Sequence, residues 1–249
     1  MKRRIFLSGL AALPFATSAR AEPAWAAELL HGNFDGKAYE AGLHVTLQPG
    51  WKTYWRNPGE GGIPPSINLE GDNLASFVVD APLPIRIVDQ GGEAIGYHDE
   101  VVFLISLTPK DVATPLTAGF KSFFGVCAQV CTPAKFNGEF HFEPHSAPSS
   151  ATQQLDEWLA RVPKVESFIS TSSVKDGQLV LDLQQSVDDI FVEGPDRYYF
   201  RKPDLNRYPG KAVIKVDGLK ADRDLKTAKL RITATVQGRG IEQTIILAS

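Results

Sequence analysis

Hydrophobic and polar residues alternate along most of this chain, the period of strands with one buried face. Leu43, Val45 and Leu47 alternate with His44, Thr46 and Gln48, and Pro49-Gly50 supplies the turn that follows. Residues 51–69, WKTYWRNPGEGGIPPSINL, are too rich in proline and glycine for a helix. Leu74–Val79 and Val101–Leu107 predict further strands, and Val88–Gly96, with Gly91, Gly92 and Gly96, is expected to form a mobile loop between them. Phe120, Phe124 and Val126 share one face of a strand whose other face carries Lys121, Phe123 and Gly125; Phe136, Phe140 and Phe142 then alternate with Lys135, Asn137, Glu139 and His141. The two strands predict a hairpin turning at about Cys127 to Pro133. Continued one residue past Val126, the alternation places Cys127 on the Lys121 side, where its thiol is expected to be reachable from solvent.

The period changes once. Leu155, Trp158, Leu159 and Val162 recur at helical spacing, predicting a helix over Ala151–Val162 with Ser150 or Thr152 as cap and Pro163 as its end. Its apolar side is expected to pack on one or both flanking units. Strands return from Lys164. Leu179, Leu181 and Leu183 alternate after Asp176-Gly177, Val213–Val216 stops at Asp217-Gly218, and Leu230, Ile232, Ala234 and Val236 lead through Gly238-Arg239-Gly240 into Ile241–Leu247. The fold class expected is all-β, two immunoglobulin-like sandwiches joined by a short helix.

Composition adds the compartment. Lys2, Arg3 and Arg4 precede the apolar run Ile5–Phe15, and Ala19-Arg20-Ala21 offers small residues for cleavage, so residues 1–21 read as an export signal. The paired arginines also fit a twin-arginine signal. Export of a bacterial chain implies the periplasm, where disulfides persist. The full chain has a formal net charge of −3, and loss of Lys2, Arg3, Arg4 and Arg20 leaves the remainder more acidic, which disfavours nucleic acid and anionic lipid as partners. No other stretch is long and apolar enough to span a bilayer, so the mature chain is expected to be soluble. The expected organisation is signal peptide 1–21, first sandwich 22–147, helical linker 148–163 and second sandwich 164–249.

The chain's only cysteines, Cys127 and Cys131, stand in one turn. A disulfide can close this spacing, since a short turn brings two α-carbons within roughly 4.4–6.8 Å. In the chain-entropy model so small a ring contributes only about 2 kcal/mol, whereas a staple normally joins distant segments. Two readings stand: a redox pair, or a local disulfide that only rigidifies a binding hairpin in a non-enzymatic periplasmic module. Acidic Asp99 and Glu100 near Tyr97 and His98 would raise a neighbouring thiol's pKa, so nothing local argues for a strongly activated nucleophile.

The blocks GLHVTLQPGWKTYWRNPGEGGIPPSINLEG, GYHDEVVFLI and VCAQVCTP resemble the N-terminal periplasmic domain of DsbD-type disulfide reductases, and resemble still more the variant at the front of ScsB-like proteins, where two sandwiches precede the membrane part. DDIFVEGPD at 188–196 is similar to the start of that variant's second sandwich. The resemblance implies a thiol–disulfide exchange protein, an oxidoreductase if an enzyme at all. It would pass electrons from a membrane donor of the DsbD or CcdA type to periplasmic thioredoxin-like or disulfide-bearing proteins, without a cofactor. By matching position Cys127 and Cys131 are the exchanging pair, joined as a disulfide when oxidised, with Cys131 as the candidate for the mixed disulfide. Tyr54 matches a tyrosine beside the pair, Tyr97 is a second supporting residue, and Val88–Gly96 falls where the family has a covering loop. The sequence departs from DsbD in its narrower cysteine spacing and in a covering loop, Asp89-Gln90-Gly91-Gly92-Glu93, that has no aromatic shield. The transmembrane and thioredoxin-like parts are missing from the chain as read, so a separate membrane protein is expected as donor.

Other chemistries fit less well. Cys127, Cys131, His141 and His145 form C-x3-C-x9-H-x3-H, suggestive of zinc or copper, but the spacing is short for a finger and Pro144 forbids a histidine-bearing helix. Met1 is the only methionine, which excludes a methionine-rich copper site. Trp51, Tyr54 and Trp55 suggest a ligand site, though for the two tryptophans a sandwich core with one aromatic edge exposed is the favoured reading. Ser66, Ser106 and Ser122 lie in no nucleophile elbow. No metal is assigned.

Overall fold

The computed structural model describes residues 23–89, 92–144, 149–218, 225 and 227–247. The expected export signal and His145 lie outside them. In the first half, β1 (Trp25–Phe34), β2 (Tyr39–Leu47), β3 (Lys52–Tyr54), β4 (Ser66–Glu70), β5 (Leu74–Asp80), β6 (Ile85–Asp89), β7 (Gly92–His98), β8 (Glu100–Pro109), β9 (Leu116–Cys127) and β10 (Cys131–Phe142) form two sheets. One runs β1-β2-β8-β5 and the other β10-β9-β3-β7-β6, with β4 also paired to β9. Their facing sides enclose one core, with Leu43, Phe103 and Ile105 from the first sheet and Phe120, Phe124 and Phe140 from the second. The β9–β10 hairpin is paired without interruption from Cys127 opposite Cys131 to Leu116 opposite Phe142. On β9 the core face predicted from alternation is buried down to Ser122, whose hydroxyl donates to the Phe136 carbonyl at 3.1 Å.

Helix α1 (Thr152–Leu159) buries Leu155 and Trp158 against β1, β2 and β8 and leaves Leu159 half exposed. It therefore packs on the first sandwich. Neither Ser150 nor Thr152 caps it; the N-cap is Ala151, without a side-chain bond.

The second half comprises β11 (Lys164–Val165), β12 (Ile169–Lys175), β13 (Gln178–Leu183), β14 (Asp189–Glu193), β15 (Tyr199–Phe200), β16 (Lys211–Asp217), β17 (Lys229–Val236) and β18 (Arg239–Ile246). Its sheets run β11-β18-β17-β14 and β12-β13-β16-β15 around a second core of Leu179, Leu181, Ile214, Leu230, Ile232 and Ile241. Asp176-Gly177 joins β12 to β13 with φ of 51° and 74°, both positive as a type I′ hairpin turn requires. The β17–β18 turn uses the same geometry at Gln237-Gly238, φ 49° and 77°, one residue earlier than Gly238-Arg239-Gly240 predicts. The all-β class, two immunoglobulin-like sandwiches joined by a short helix, is the observed one.

One expectation is corrected. Val88–Gly96 is not a loop: β6 and β7 pair from Ile85 opposite Gly96 to Asp89 opposite Gly92, a hairpin whose tip, Gln90 and Gly91, lies outside the described residues. Glycines dominated the reading, but Gly96 is central to a strand because β3 approaches too closely for any side chain; a β-carbon there would lie 2.0 Å from the Thr53 carbonyl oxygen.

The two sandwiches meet through the segment between β3 and β4. Trp55, fully buried, packs edge-on against Phe191 of β14 at 5.8 Å. Arg56 stacks on the Trp55 ring and binds Glu193 and Glu242, with Nε 2.9 and 3.0 Å from the Glu193 carboxylate oxygens. Asn57 donates to the Val192 carbonyl at 2.9 Å. From β6, Arg86 makes a two-pronged pair with Asp189, 2.9 and 3.1 Å, and lies over the Phe191 ring. Removing Phe191 leaves a cavity beside Trp55. Phe191→Ala is expected to lower stability by about 3 kcal/mol, read as a lower urea midpoint, and to shift tryptophan emission to the red as Trp55 gains water.

Candidate functional site

The disulfide closes the open end of the β9–β10 hairpin. Cys127 and Cys131 are bonded, their α-carbons 4.1 Å apart across the ladder, with Ala128–Val130 as the connecting loop. Strand pairing sets the two cysteines opposite each other, so the pair is built on rigid backbone.

The sulfurs' surroundings are unequal. Cys127 does lie on the Lys121, Phe123 and Gly125 face, as alternation predicts, yet it is only 1% exposed. The solvent access expected for it is corrected: that face is open at Lys121 and covered from Gly125 onward. The cover is Tyr54, the last residue of β3. Its ring lies across Gly125, where a β-carbon would sit 3.0 Å from Tyr54 Cδ2 and 2.8 Å from Ile63 Cβ, so only glycine fits. The chain folds back over the ring at Gly62, where a β-carbon would lie 2.6 Å from Tyr54 Cδ1. Tyr54, Ala94, Ile63 and Cys127 thus form a small apolar cluster outside the main core. Cys131 is exposed at the hairpin end, beside Val130, which is 74% exposed.

The Tyr54 hydroxyl donates to Cys127 Sγ at 2.9 Å and lies 3.3 Å from Cys131 Sγ. Neither sulfur of a disulfide carries a hydrogen, so the phenol is the donor. Burial raises its pKa above the usual tyrosine value and the Asp89 carboxylate adds to the effect. The phenol therefore stays protonated across the physiological range and remains a donor when a thiolate forms.

A lysine and an aspartate complete the surroundings. Lys52, two residues before Tyr54 on the same face of β3, pairs across the sheet with Cys127 on one side and His98 on the other. Its side chain is buried and its Nζ meets Asp89 Oδ2 at 2.5 Å, tying β3 to the end of β6. A shallow groove beside the disulfide is lined by Pro49, Trp51, Asp89, Gln129, Val130 and Thr132. The sequence singled out neither Lys52 nor its link to Asp89. The signal available was the two-residue spacing of Lys52 and Tyr54, which puts them on one face.

Other candidates fall elsewhere. Tyr97 does not reach the pair; adjacent to Thr53 in the sheet, it points into the main core, packs on Phe103 and donates to the Pro82 carbonyl at 2.7 Å. Odd and even residues of β7 face opposite ways, so His98, not Tyr97, shares the disulfide's face. Glu100 binds His44, which also meets Glu28. His141 bonds Thr117 and Glu143 at the far end of the hairpin, roughly 30 Å from Cys131 along the strand. That separation removes it from any cluster with the cysteines, and no group of three or more metal-ligating side chains occurs among the described residues. The three aromatics divide: Trp51 lines the groove, Tyr54 covers the sulfurs and Trp55 fills the contact between sandwiches.

Residues 21–138 match the family described as thiol:disulfide interchange protein DsbD, N-terminal. In fold, the N-terminal periplasmic domain of ScsB from Proteus mirabilis matches 92% of this chain over 95% of its own, with a TM-score of 0.75 and 23% identity. The reduced DsbD N-terminal domain of Neisseria meningitidis covers 47% of this chain and 90% of its own, at a TM-score of 0.26 and 14% identity. No curated protein sequence matches the chain. No helix among the described residues is long and apolar enough to cross a membrane.

After reduction, iodoacetamide is expected to modify Cys131 at least about tenfold faster than Cys127, because one thiol is exposed and the other covered. Tyr54→Ala removes the cover and should bring the two rates together, whereas Tyr54→Phe keeps it and should preserve the difference. Peptide mapping of the labelled protein reads both rates.

Proposed function

Because residues 21–138 belong to the DsbD N-terminal domain family, we propose that this protein is an exported thiol–disulfide exchange protein. In this reading it carries electrons through Cys127 and Cys131 from a membrane reductase to thiol proteins of the periplasm. The observation that carries it is the inequality of the two sulfurs: one presented at a hairpin end, its partner held under a protonated phenol.

The chemistry follows. A thiolate of the donor attacks Cys131 Sγ, the accessible sulfur; a new S–S bond forms to Cys131, the Cys127–Cys131 bond breaks, and its electron pair leaves on Cys127 Sγ. Tyr54 donates its hydrogen bond to that thiolate. The donor's second thiolate then attacks its own sulfur in the mixed disulfide, so the donor leaves oxidised and Cys131 departs as a thiolate that takes up a proton. Two electrons now reside on the pair. In the outward step Cys131 attacks the acceptor's disulfide, and Cys127, held beside it by the strand ladder, resolves the mixed disulfide. Proximity supplies the second thiol without a search.

A binding module with a structural disulfide is the second reading. A five-residue ring contributes only about 2 kcal/mol to stability in the chain-entropy model, and strand pairing already fixes this hairpin. The exchange reading therefore gives the bond a purpose that rigidity does not.

Cys127→Ser, which leaves the exposed Cys131, is expected to trap partners as mixed disulfides in periplasmic extracts resolved without reductant, while Cys131→Ser traps none because Cys127 is covered. The wild-type pair should equilibrate with glutathione or dithiothreitol at roughly −180 to −270 mV, the span of exchange-active proteins. A potential well below about −300 mV, with no trapped species, would establish the structural disulfide instead.

A further inference from the structure

Lys52 is buried on the disulfide's face of the sheet, with 6% of its side chain exposed. A buried ammonium is costly to desolvate, and a purely structural position is filled more cheaply by an apolar residue. Its cross-strand partner is Cys127, and β-carbons of such partners stand roughly 5 Å apart. Its counter-charge, Asp89, is 38% exposed and close enough to Tyr54 to act on its hydroxyl. The groups facing this spot are Tyr54 from the lysine's own strand, Asp89 from β6, His98 from β7, Cys127 from β9 and Cys131 from β10.

We propose that Lys52 is a positioning residue for disulfide exchange, holding the charge that receives the Cys127 thiolate when the bond opens. The inference rests on the exchange reading above. As the incoming thiolate bonds to Cys131 Sγ, the electron pair of the broken bond appears on a sulfur that is 1% exposed and reaches no solvent. One hydrogen bond from Tyr54 leaves that charge without a counter-ion. Lys52 supplies one, and the more exposed Asp89 is the partner that gives way, turning to water as the ammonium moves to sulfur. No proton is transferred, and the lysine stays charged throughout. Asp89 ends β6, so opening the disulfide also loosens the tie between β3 and the β6–β7 hairpin.

The test uses the full chain. Cys127 is titrated by thiolate absorbance in Cys131→Ser protein, and opening of the intact disulfide by dithiothreitol is timed across pH. Lys52→Met is expected to move the Cys127 titration up by roughly one pH unit and to slow opening about tenfold at pH 7. Asp89→Asn is expected to shift the titration downward, because the lysine then has no competing carboxylate, and this shift should shrink in the double variant to the part owed to the carboxylate's own charge. Lys52→Arg should retain most of the wild-type behaviour. A folded Lys52→Met protein whose Cys127 titrates as in the parent, or an Asp89→Asn shift that is undiminished without the lysine, would overturn the proposal. Should Lys52→Met fail to fold, Lys52→Gln and Asp89→Asn decide the question by the same titration. The titration is read on a pair already opened, so it judges the lysine separately from the reduction potential, which judges the exchange reading.

Discussion

The seating of one phenol ring on one glycine governs this molecule. Tyr54 packs against Gly125 because Gly125 has no side chain, and that contact determines which sulfur sees solvent and which receives a hydrogen bond. β3 is only three residues long, and beyond Tyr54 the chain keeps only the backbone bonds of Trp55 and Pro58 with Ile95 of β7. Alternation sends Tyr54 to the disulfide's face and Trp55 to the opposite side, where it meets Phe191 of the second sandwich. A single peptide unit therefore joins the sulfur cover to the contact between sandwiches.

This arrangement gives the second sandwich a role although it brings no side chain to the disulfide. Its Glu193 and Glu242 fix Arg56, its Val192 carbonyl fixes Asn57, and its Asp189 holds Arg86 of β6. Those contacts anchor the segment that follows Tyr54 and the β6–β7 hairpin, which flanks β3 in the same sheet. Ion pairs of this kind, partly buried and two-pronged, restrict geometry more than they add net stability. What they restrict here is the position of the cover.

Much of the fold could be read from local pattern. The pattern of apolar residues located β2, β8, β9, β10 and four of the eight strands of the second half, Asp176-Gly177 marked its turn, and the Leu155–Trp158 spacing marked the helix. The cysteine pair stood out by composition alone. The unread part is nonlocal. Cys127 was placed on the correct face, but its burial depends on a residue 73 positions away, and no periodicity within β9 reports that. The β6–β7 hairpin was hidden because glycine, usually a sign of turn, serves at Gly96 to admit a neighbouring strand. Tyr97 and His98 are adjacent in sequence and face opposite ways, so a reading that treated them as one cluster chose the wrong member. Nothing local to Lys52 reports its burial, which follows from β3 lying between β7 and β9.

β3 and β4 both pair with the same edge of β9, so the chain between them departs from the sheet and returns to it along one line. Register is fixed independently on each side of the departure. The residues between the two pairings, Trp55, Arg56 and Asn57 among them, reach the second sandwich without taking part in that register. The frame around the disulfide is thus set by β9 itself, and the segment that reaches the second sandwich hangs from that frame at two fixed points.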